Sequence, residues 1–443
     1  MRLSNRQLLA LTIATASGNV ALAGQSESQG FIEDSHLNFL TRNLYYNHDY
    51  HSGHNNADST ADRDRREWGQ AFRFDYTSGF TQGTVGFGLD ASVYTVMKLD
   101  GGAGHSGQAN VLVTDGNSTA GEASSGGANV KLRISETELK YGNNLRPYNA
   151  VFAPADARLT PGTAQGFWLT SKDVEGLSAE AAHLTAAKDF NSTNTSDDFY
   201  AAYAGVASST VDFVGATYSA TDRLILGLYG AEYKDIWRQY YGNLNYTYPI
   251  SDTQSLNFDA NLYRTLDEGR ALAGDISTTA YSLAAAYTVG AHTFKLTYQK
   301  IRGDQPFDYL GLGPHTFHDS IYLANSSQLA DFNGPNEKSR GLFYSLDMAS
   351  YGVKGLTFGA RYILGRDVDG SKLAADSPYN FYGSESSEEH WERDIDVKYV
   401  VQEGTAKGLS LRLRQATHRI GNGASDAPAD QIRLITEYPW SIF

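Results

Sequence analysis

The sequence predicts an all-β protein, a transmembrane antiparallel β-barrel of about 18 strands with an inward-folded constriction loop. Three observations favour this fold class. Apolar residues recur at every second position in many segments, Tyr (29) and Phe (20) are abundant, and no apolar run is long enough for a transmembrane helix. The alternatives are a soluble β-sandwich and a surface β-solenoid. An open sheet with these apolar rows would aggregate in water, whereas lipid solvates them around a closed barrel.

The first residues of the chain predict export. Two arginines precede an apolar stretch over residues 8–16, and a small-x-small pattern ends at Ala23. This is the order of charged region, apolar region and cleavage site in a secretory signal peptide. We expect residues 1–23 to be a cleaved signal peptide and residues 24–443 to form an outer-membrane β-barrel. The formal net charge of −14 makes nucleic acid an unsuitable partner.

Alternation of apolar and polar residues marks the strands. Leu256, Phe258, Ala260 and Leu262 alternate with Asn and Asp. Because successive side chains of a strand point to opposite faces, such a segment has one apolar face for lipid and one polar face for the lumen. The same period of two recurs in residues 294–298, 358–364, 395–401, 409–413 and 432–440.

The connections between these segments predict the number of strands. Eight short turns rich in Gly, Asp or Ser alternate with nine longer polar segments, which gives eighteen strands. Short turns at one end and long loops at the other are typical of bacterial outer-membrane barrels. A further turn within residues 206–211 is the alternative to this count. The long segments are 47–66, 101–127, 143–164, 190–196, 233–238, 264–278, 302–340, 366–391 and 421–429.

A barrel of this size encloses an aqueous channel, so a selective channel needs an element that narrows it. Segment 143–164 is the candidate, because it holds three of the chain's ten prolines and several apolar residues. Solvent-exposed loops are rarely so apolar. We expect this constriction loop to fold inward and to carry Asp156 and Arg158 into the pore. The alternative is a lid packed over the extracellular mouth.

The predicted lumen face carries a row of cations. Arg412 and Arg414 alternate with outward-facing leucines, so both arginines point into the lumen. The same criterion selects Lys131, Arg133, Arg361, Lys398 and Arg433. In an acidic protein such a row favours passage of carboxylates or phosphates, which bind weakly at each step. The alternative is that Asp394, Asp396 and Glu437 neutralise these cations in salt bridges.

Enzyme and metal sites find little support in the sequence. There is no G-x-S-x-G motif, no P-loop and no G-x-G-x-x-G motif followed by a helix. His48, His51 and His54 have metal-ligand spacing but lie in a polar segment, where a solvated loop is the simpler interpretation. A barrel hydrolase would need a Ser–His or Asp–His pair on adjacent strands near one rim. We expect a channel without cofactor or metal.

Several segments resemble the porin D (OprD) family of outer-membrane carboxylate channels. They span nearly the whole mature chain and comprise 30–38, 78–88, 238–241, 303–309, 331–335, 399–402 and 438–442. The resemblance implies an eighteen-stranded monomeric barrel with a ladder of basic residues and an inward-folded third loop. It also implies substrates that are small, water-soluble and carry a carboxylate.

The resemblance also assigns positions to the channel's parts. The constriction corresponds to residues 155–159, whose acidic-x-Arg-Leu pattern resembles the branch of the family that favours aromatic or monocyclic carboxylates. In the long seventh loop, Asp304, Asp308 and Tyr309 are implied to face the pore opposite the ladder. The ladder positions match Arg361, Lys398, Arg412, Arg414 and Arg433.

We therefore expect an outer-membrane porin for passive, selective uptake of small carboxylate-bearing solutes, aromatic acids or amino acids. Its partners would be these solutes and the lipids of the outer membrane, and it would act as a monomer. The competing interpretation is a general-diffusion or oligosaccharide porin, with a barrel hydrolase as a third possibility.

Overall fold

The computed structural model describes residues 24–51, 64–101, 111–115, 118–313, 320–383, 386–421 and 428–443. The predicted signal peptide, residues 1–23, lies outside this part of the chain, and so does His54. None of the helices in these ranges has the length and apolar character that crossing a membrane would require.

Eighteen strands in these ranges form one antiparallel sheet that closes on itself. Each strand pairs with the next along the chain, and β18 pairs with β1. Closure satisfies the backbone groups of both edges, which the bilayer core would leave without partners. The strands are β1 (His36–Tyr50), β2 (Asp64–Thr77), β3 (Gly86–Asp100), β4 (Glu122–Ile134), β5 (Thr137–Leu145), β6 (Thr163–Ser171), β7 (Leu177–Lys188), β8 (Val211–Thr221), β9 (Leu224–Tyr233), β10 (Trp237–Ser251), β11 (Gln254–Asp267), β12 (Ser277–Val289), β13 (His292–Arg302), β14 (Lys338–Asp347), β15 (Leu356–Asp369), β16 (Ser386–Val400), β17 (Ser410–Ile420) and β18 (Ala429–Ser441).

The eighteen-stranded barrel is confirmed, and short and long connections alternate except at the short turn between β9 and β10. Two of the predicted long segments differ most clearly from the loops in the structure. The loop after β7 extends over residues 189–210, because residues 199–201 and 207–208 pair with each other in a small sheet. Residues 206–211 therefore form no further turn of the barrel. Segment 233–238 contains only a three-residue turn, 234–236, because Tyr233 and Trp237 are register partners across the turn between β9 and β10.

The remaining elements are short. One edge of the small sheet at 199–201 pairs with Leu310–Gly311, and Thr114–Asp115 pairs with Ser118–Thr119. Single-turn 3-10 helices cover Gln25–Glu27, Met348–Tyr351 and Asn380–Tyr382.

Burial follows the alternation along the strands. On β17, Leu411 and Leu413 are exposed on the outer wall, while Ala416 and His418 are buried on the inner face. The core therefore lies inside the barrel, where loops pack against inward-facing side chains. Its largest apolar cluster includes Phe152, Phe199, Phe213, Tyr233 and Tyr263.

Candidate functional site

The constriction loop, residues 146–162 between β5 and β6, folds into the barrel as expected. Its first half is attached to the inward face of β8–β11, which we call the tyrosine wall. The hydroxyl of Tyr263 on β11 donates to the carbonyl oxygen of Ala150 at 3.0 Å. The hydroxyl of Tyr233 on β9 donates to the carbonyl oxygen of Val151. These contacts fix the backbone of a loop segment whose side chains are already buried.

Aromatic packing reinforces this attachment. The ring of Phe152 packs parallel to that of Phe213 on β8, with centroids 5.9 Å apart, and edge-on against Phe199 at 6.1 Å. All three side chains are at most 4% exposed. Burial of one such ring contributes about 1.5 to 3 kcal/mol. The first half of the loop is thus held by apolar contact and two hydroxyl groups.

The second half is held by charge, on the opposite side of the lumen. Asp156 accepts hydrogen bonds from Arg42 of β1 at 2.8 Å, from Arg73 of β2 at 2.7 and 3.0 Å, and from Arg146 at 3.0 Å. Burial alone would raise the pKa of Asp156, but the attraction of these three guanidinium groups outweighs it and holds the pKa well below 3.8. Arg42 also bonds Glu437 of β18 at 2.7 Å. Asp156 therefore anchors the loop to the wall.

Arg158 lies beside this anchor, and no carboxylate of the described part of the chain contacts its guanidinium. Its guanidinium lies over the ring of Tyr46 on β1, 5.6 Å from the centroid. Arg433 of β18 lies over the same ring at 5.3 Å. Arg433 donates to the side chain of Gln431 and, at 3.2 Å, to the backbone carbonyl of Gln328. One arginine of the loop and one of the wall thus share a single aromatic ring, whose negative face attracts both.

The cations continue from this point toward the end of the barrel with the short turns. Arg433 interacts electrostatically with both Arg158 and Arg414. Arg414 is the register partner of Arg433, and Arg412 is that of Lys398. Inward residues of one strand are about 7 Å apart and neighbouring strands about 4.8 Å apart. We call this row, which comprises Arg158, Arg433, Arg414, Arg412 and Lys398, the cation column. The inward face of β15–β18, β1 and β2, which carries it, is the basic wall.

Carboxylates neutralise part of the basic wall. Asp396 bonds Arg412 at 2.8 Å and approaches Arg414 at 3.3 Å, and Asp394 pairs with Arg361. The salt bridges weighed as an alternative are therefore present beside the row of cations. In the ranges that the structure describes, the members of the column without a carboxylate contact are Arg158, Lys398 and Arg433.

The structure places the predicted cations of β4 apart from the column. Arg133 lies near the end with the short turns, where it donates to the side chain of Gln25 at 3.0 Å and lies over the ring of Phe80 at 4.0 Å. Lys131 pairs with Asp90 of β3 at 2.8 Å. Strand β4 lies outside the basic wall, so these two cations are not brought together with Arg412 and its neighbours.

Asp308 lies inside the loop cluster beside the tyrosine wall. Its carboxylate accepts from the backbone N–H groups of Tyr203 and Ala204, both at 3.0 Å, and from the hydroxyl of Tyr379 at 2.9 Å. Burial raises the pKa of Asp308 to about 6, even though these donors favour the charged form. The side chain is enclosed, since the residue is only 3% exposed. Its position suits it to hold three loops together.

The other two residues implied for the seventh loop lie in different surroundings. Tyr309 is buried next to Asp308, and its hydroxyl donates to Asp331 at 2.8 Å. Asp304 forms an ion pair with Lys372 at 2.9 Å, in which both side chains are more than half exposed. The structure therefore brings Asp308 and Tyr309 together in the loop interior and leaves Asp304 apart from both.

A second segment also reaches the basic wall. Glu392 of β16 accepts from the backbone N–H groups of Gln328, Leu329 and Ala330 at 2.8 to 2.9 Å. These residues belong to the loop between β13 and β14. Because Glu392 is fully buried on the inward face, the loop lies in the lumen at this point. No sequence pattern predicts this contact, which joins residues more than 60 positions apart.

Sequence reasoning missed the arginines that hold the constriction loop. Arg73 lies between two outward phenylalanines on β2, so it meets the alternation criterion that selected the other cations. Arg42 lies between Thr41 and Asn43. Because these neighbours are polar, the alternation criterion does not identify Arg42 as a residue that points inward. Their common partner, Asp156, becomes visible only when the loop is folded.

The histidines of the first long segment do not form a metal site in the part described. His48 is buried beside Tyr46 and Gln431, and His51 pairs with Asp430 at 2.8 Å. Across the described ranges, no group of three or more His, Asp or Glu side chains is placed to hold a metal ion.

Comparison with known proteins gives one consistent result. The family model described as outer membrane porin, OprD family, matches residues 29–442. Porin D of Pseudomonas aeruginosa is 48% identical over 451 residues, with 100% of each chain covered. A crystal structure of Pseudomonas aeruginosa OprD has a TM-score of 0.83 and 48% identity, covering 95% of this chain and 99% of that chain.

A further solved structure is that of a similar protein crystallised with an aromatic carboxylate. Pseudomonas aeruginosa OpdK, crystallised with vanillate, has a TM-score of 0.80 and 29% identity, covering 93% of this chain and 100% of that chain. The chain is thus more similar to OprD than to the protein crystallised with vanillate. The expected preference for aromatic carboxylates stays a prediction.

Proposed function

We propose that this chain, which belongs to the OprD family of outer membrane porins, takes up small carboxylate-bearing solutes by passive, selective diffusion along its basic wall. The protein is an outer-membrane channel and not an enzyme. The observation that carries the proposal is the cation column, because three of its members have no carboxylate contact in the described chain. In this proposal the channel acts as a monomer, needs no cofactor, and accepts aromatic acids or amino acids.

The column attracts a carboxylate without trapping it. At 4 Å a single cation attracts a carboxylate by about 1 kcal/mol in water, and by several times more where protein walls lower the dielectric constant. The next cation lies about 5 to 7 Å away, so a carboxylate can contact it before leaving the previous one. Asp394 and Asp396 weaken the attraction where cations are densest, which keeps each step shallow enough for release.

Arg158 and Arg433 are proposed to select at the entrance to this column. Both guanidinium groups lie over Tyr46, so their positions are fixed before a solute arrives. Preorganised donors lose little conformational freedom on binding, which favours solutes that match their geometry. Asp156 acts by holding the loop that presents Arg158, and Asp308 with Tyr309 by holding the loops on the opposite side.

The inward side chains of the tyrosine wall are proposed to contact the uncharged part of the solute. Tyr241 donates to Asn261 at 2.6 Å, and Asn243 donates to Asp259 at 3.0 Å. Such a wall offers ring surface and hydrogen-bonding groups opposite the cations. A solute with one carboxylate and a small polar body fits between the two walls.

The test is the double variant Arg412→Ala and Arg414→Ala. Uptake of benzoate-like and amino-acid carboxylates into reconstituted liposomes should fall on the order of tenfold, because two attractive charges are lost and Asp396 is left unpaired. The matched control is Arg393→Ala on the outer face of β16, where the guanidinium bonds Gln415 and Thr417. Its uptake should equal that of the wild type.

Unchanged carboxylate uptake in the double variant would contradict the proposal. The second candidate is a general-diffusion or oligosaccharide porin, which the partial neutralisation by Asp394 and Asp396 favours. Single-channel recording separates the two candidates. Block by oligosaccharides without block by benzoate would establish the second candidate and exclude the first.

A further inference from the structure

The outer wall of β13 and β14 carries cations near the long-loop end of the barrel. On these strands Gln299 and Ser339 are at most 1% exposed and point inward. Because side chains alternate, Lys300 and Lys338 point outward on the lipid side. We call Lys300, Arg302, Lys338, Arg340 and Arg366 the outer cationic patch.

The strand register shows that this surface changes from apolar to cationic within three rows of side chains. Three rows of outward side chains cross β12, β13, β14 and β15, about 7 Å apart along each strand. The row nearest the short turns is entirely apolar or aromatic, the middle row contains one cation, and the third contains three. In that order the rows are Ala285, Leu296, Leu342 and Tyr362, then Leu283, Tyr298, Arg340 and Leu364, then Tyr281, Lys300, Lys338 and Arg366.

The aromatic residues locate the membrane surface at this change. The rings of Tyr281 in the third row and Tyr298 in the middle row are 6.3 Å apart, above the row of exposed leucines. Tyrosines concentrate at the boundary between hydrocarbon and headgroups in barrels of this kind. Leu296 and Leu342, one row further down, are 63% and 54% exposed, as lipid-facing residues are. Since the strands lead from here into long loops, the patch lies at the headgroups of the outer leaflet.

Two cations of the patch have counterions on the protein. Lys338 bonds Asp367 at 2.5 Å, and Arg366 bonds Glu389 at 3.0 Å. All four side chains are about half exposed, so these pairs are open to competition from another anion.

Among the residues that the structure describes, no carboxylate contacts the other cations of the patch. Arg302 lies over the ring of Tyr281 at 5.8 Å, and Lys300 donates to the backbone carbonyl of Asn336. Arg340 is exposed and has no carboxylate contact in the described ranges. The patch therefore has a net positive charge, although the protein as a whole is acidic.

Another sector of the same rim shows the opposite balance. Arg238 of β10 also points outward near the long loops and is about half exposed. It faces two carboxylates, Glu232 at 2.7 Å and Glu268 at 3.8 Å. The rim therefore differs from sector to sector, and the patch is distinguished by five neighbouring cations with two carboxylate partners in the described ranges.

We infer that the outer cationic patch binds a phosphate group on the headgroup of an outer-leaflet lipid. Lys and Arg side chains donate hydrogen bonds to phosphate oxygens, and a planar guanidinium can do so with two parallel bonds. The apolar rows directly below the patch accommodate the acyl chains of the same molecule. A free phosphate ion would make no use of these rows, whereas a phosphorylated lipid contacts both parts of the surface.

The experiment compares the wild type with the double variant Arg302→Gln and Arg340→Gln, using the full-length folded barrel in detergent. Binding of lipid A is titrated by native mass spectrometry. Each interfacial cation contributes about fivefold to anionic-lipid affinity, so the double variant should bind lipid A about 25-fold more weakly. Arg238→Gln is the matched control and should bind as the wild type does. Dephosphorylated lipid A should bind the wild type as weakly as lipid A binds the double variant.

Three outcomes would overturn the inference. They are equal lipid A affinity of wild type and double variant, equal affinity of the wild type for both forms of lipid A, and equal affinity for inorganic phosphate and lipid A. If the double variant fails to fold, the single variant Arg340→Gln decides, with an expected fivefold loss. Channel conductance should be unchanged in either variant, because the patch lies outside the pore, so this test is independent of the proposed transport path.

Discussion

The two walls of the lumen hold the same loop by different physical means. At the basic wall, one carboxylate, that of Asp156, bonds three arginines, two of which belong to strands. At the tyrosine wall, residues 150–152 are held by ring packing and by the hydroxyls of Tyr233 and Tyr263. The charged attachment concentrates its free energy in one residue. The apolar attachment spreads it over several.

This difference predicts how each attachment fails. Removing one partner from a buried ion cluster leaves uncompensated charge, which costs far more than an unpaired carbonyl group. The constriction should therefore be most sensitive at Asp156 and more tolerant at the tyrosine wall. Mutations and pH can test this contrast directly.

The largest expected effect is that of Asp156→Asn. The change preserves side-chain shape but leaves Arg73 and Arg146 without their carboxylate partner and Arg42 with Glu437 alone, which should destabilise the attachment by about 3 to 5 kcal/mol. The loop tip should detach and single-channel conductance should rise. Arg146→Gln is the control, because it removes the most exposed partner and leaves the two wall arginines paired. Wild-type conductance in Asp156→Asn would contradict the role of this anchor.

Mild acidification should change the stability of the loop cluster beside the tyrosine wall and leave the attachment at the basic wall unchanged. The pKa of Asp308 is raised to about 6 in the folded protein. Between about pH 4 and 6 the carboxyl group is therefore protonated in the folded loop cluster and ionised in the unfolded chain. Its stability should increase on the order of 3 kcal/mol as pH falls from 6 to 4, and stay constant above 6. Asp156, with a lowered pKa, contributes stability above pH 4 and loses it only in stronger acid.

Hydrogen exchange at the amides of Tyr203 and Ala204, corrected for intrinsic rates, measures this effect. Protection should be greater at pH 5 than at pH 7 in the wild type. Asp308→Asn has no titrating carboxyl at this position and should show no such change. The same pH dependence in Asp308→Asn would exclude Asp308 as its source.

A smaller effect is expected for Tyr233→Phe. The variant keeps the ring and leaves the carbonyl of Val151 without its donor, which should cost about 1 to 3 kcal/mol. Open-channel current noise should increase, with ion selectivity unchanged because no charge is altered. Tyr240→Phe is the control, since Tyr240 lies on the outer wall and is 48% exposed. A change in ion selectivity for Tyr233→Phe would contradict the proposal that only the basic wall determines selectivity.

The smallest effect concerns the ring shared by Arg158 and Arg433. Tyr46→Leu removes a cation–π partner worth about 0.5 to 1 kcal/mol for each arginine, so anion selectivity should fall modestly. Tyr46→Phe keeps the ring and should retain most of the selectivity. Reversal potentials in a salt gradient give both values. An equal loss in both variants would assign the effect to the hydroxyl and its bond to Gln431.

The alternation of apolar and polar residues along the strands determined which side chains could be assigned to the lumen from the sequence. Lipid on one side and water on the other impose alternation on every strand, so Arg412 and Arg414 could be assigned to the lumen without a structure. Arg42 could not, because its neighbours are polar. Loop residues follow no such rule. The burial of Asp308 depends on Tyr203 and Tyr379, which are distant in sequence and become neighbours only when the loops fold together.

Arg42 links barrel closure to the width of the pore. It lies on β1, bonds Glu437 of β18 across the seam where the sheet closes, and bonds Asp156 of the constriction loop. Its orientation is therefore complete only after the first and last strands have paired. The carboxylate of Asp156 therefore has all three arginines in their final positions only once the barrel is closed, so closure of the sheet completes the constriction of the pore.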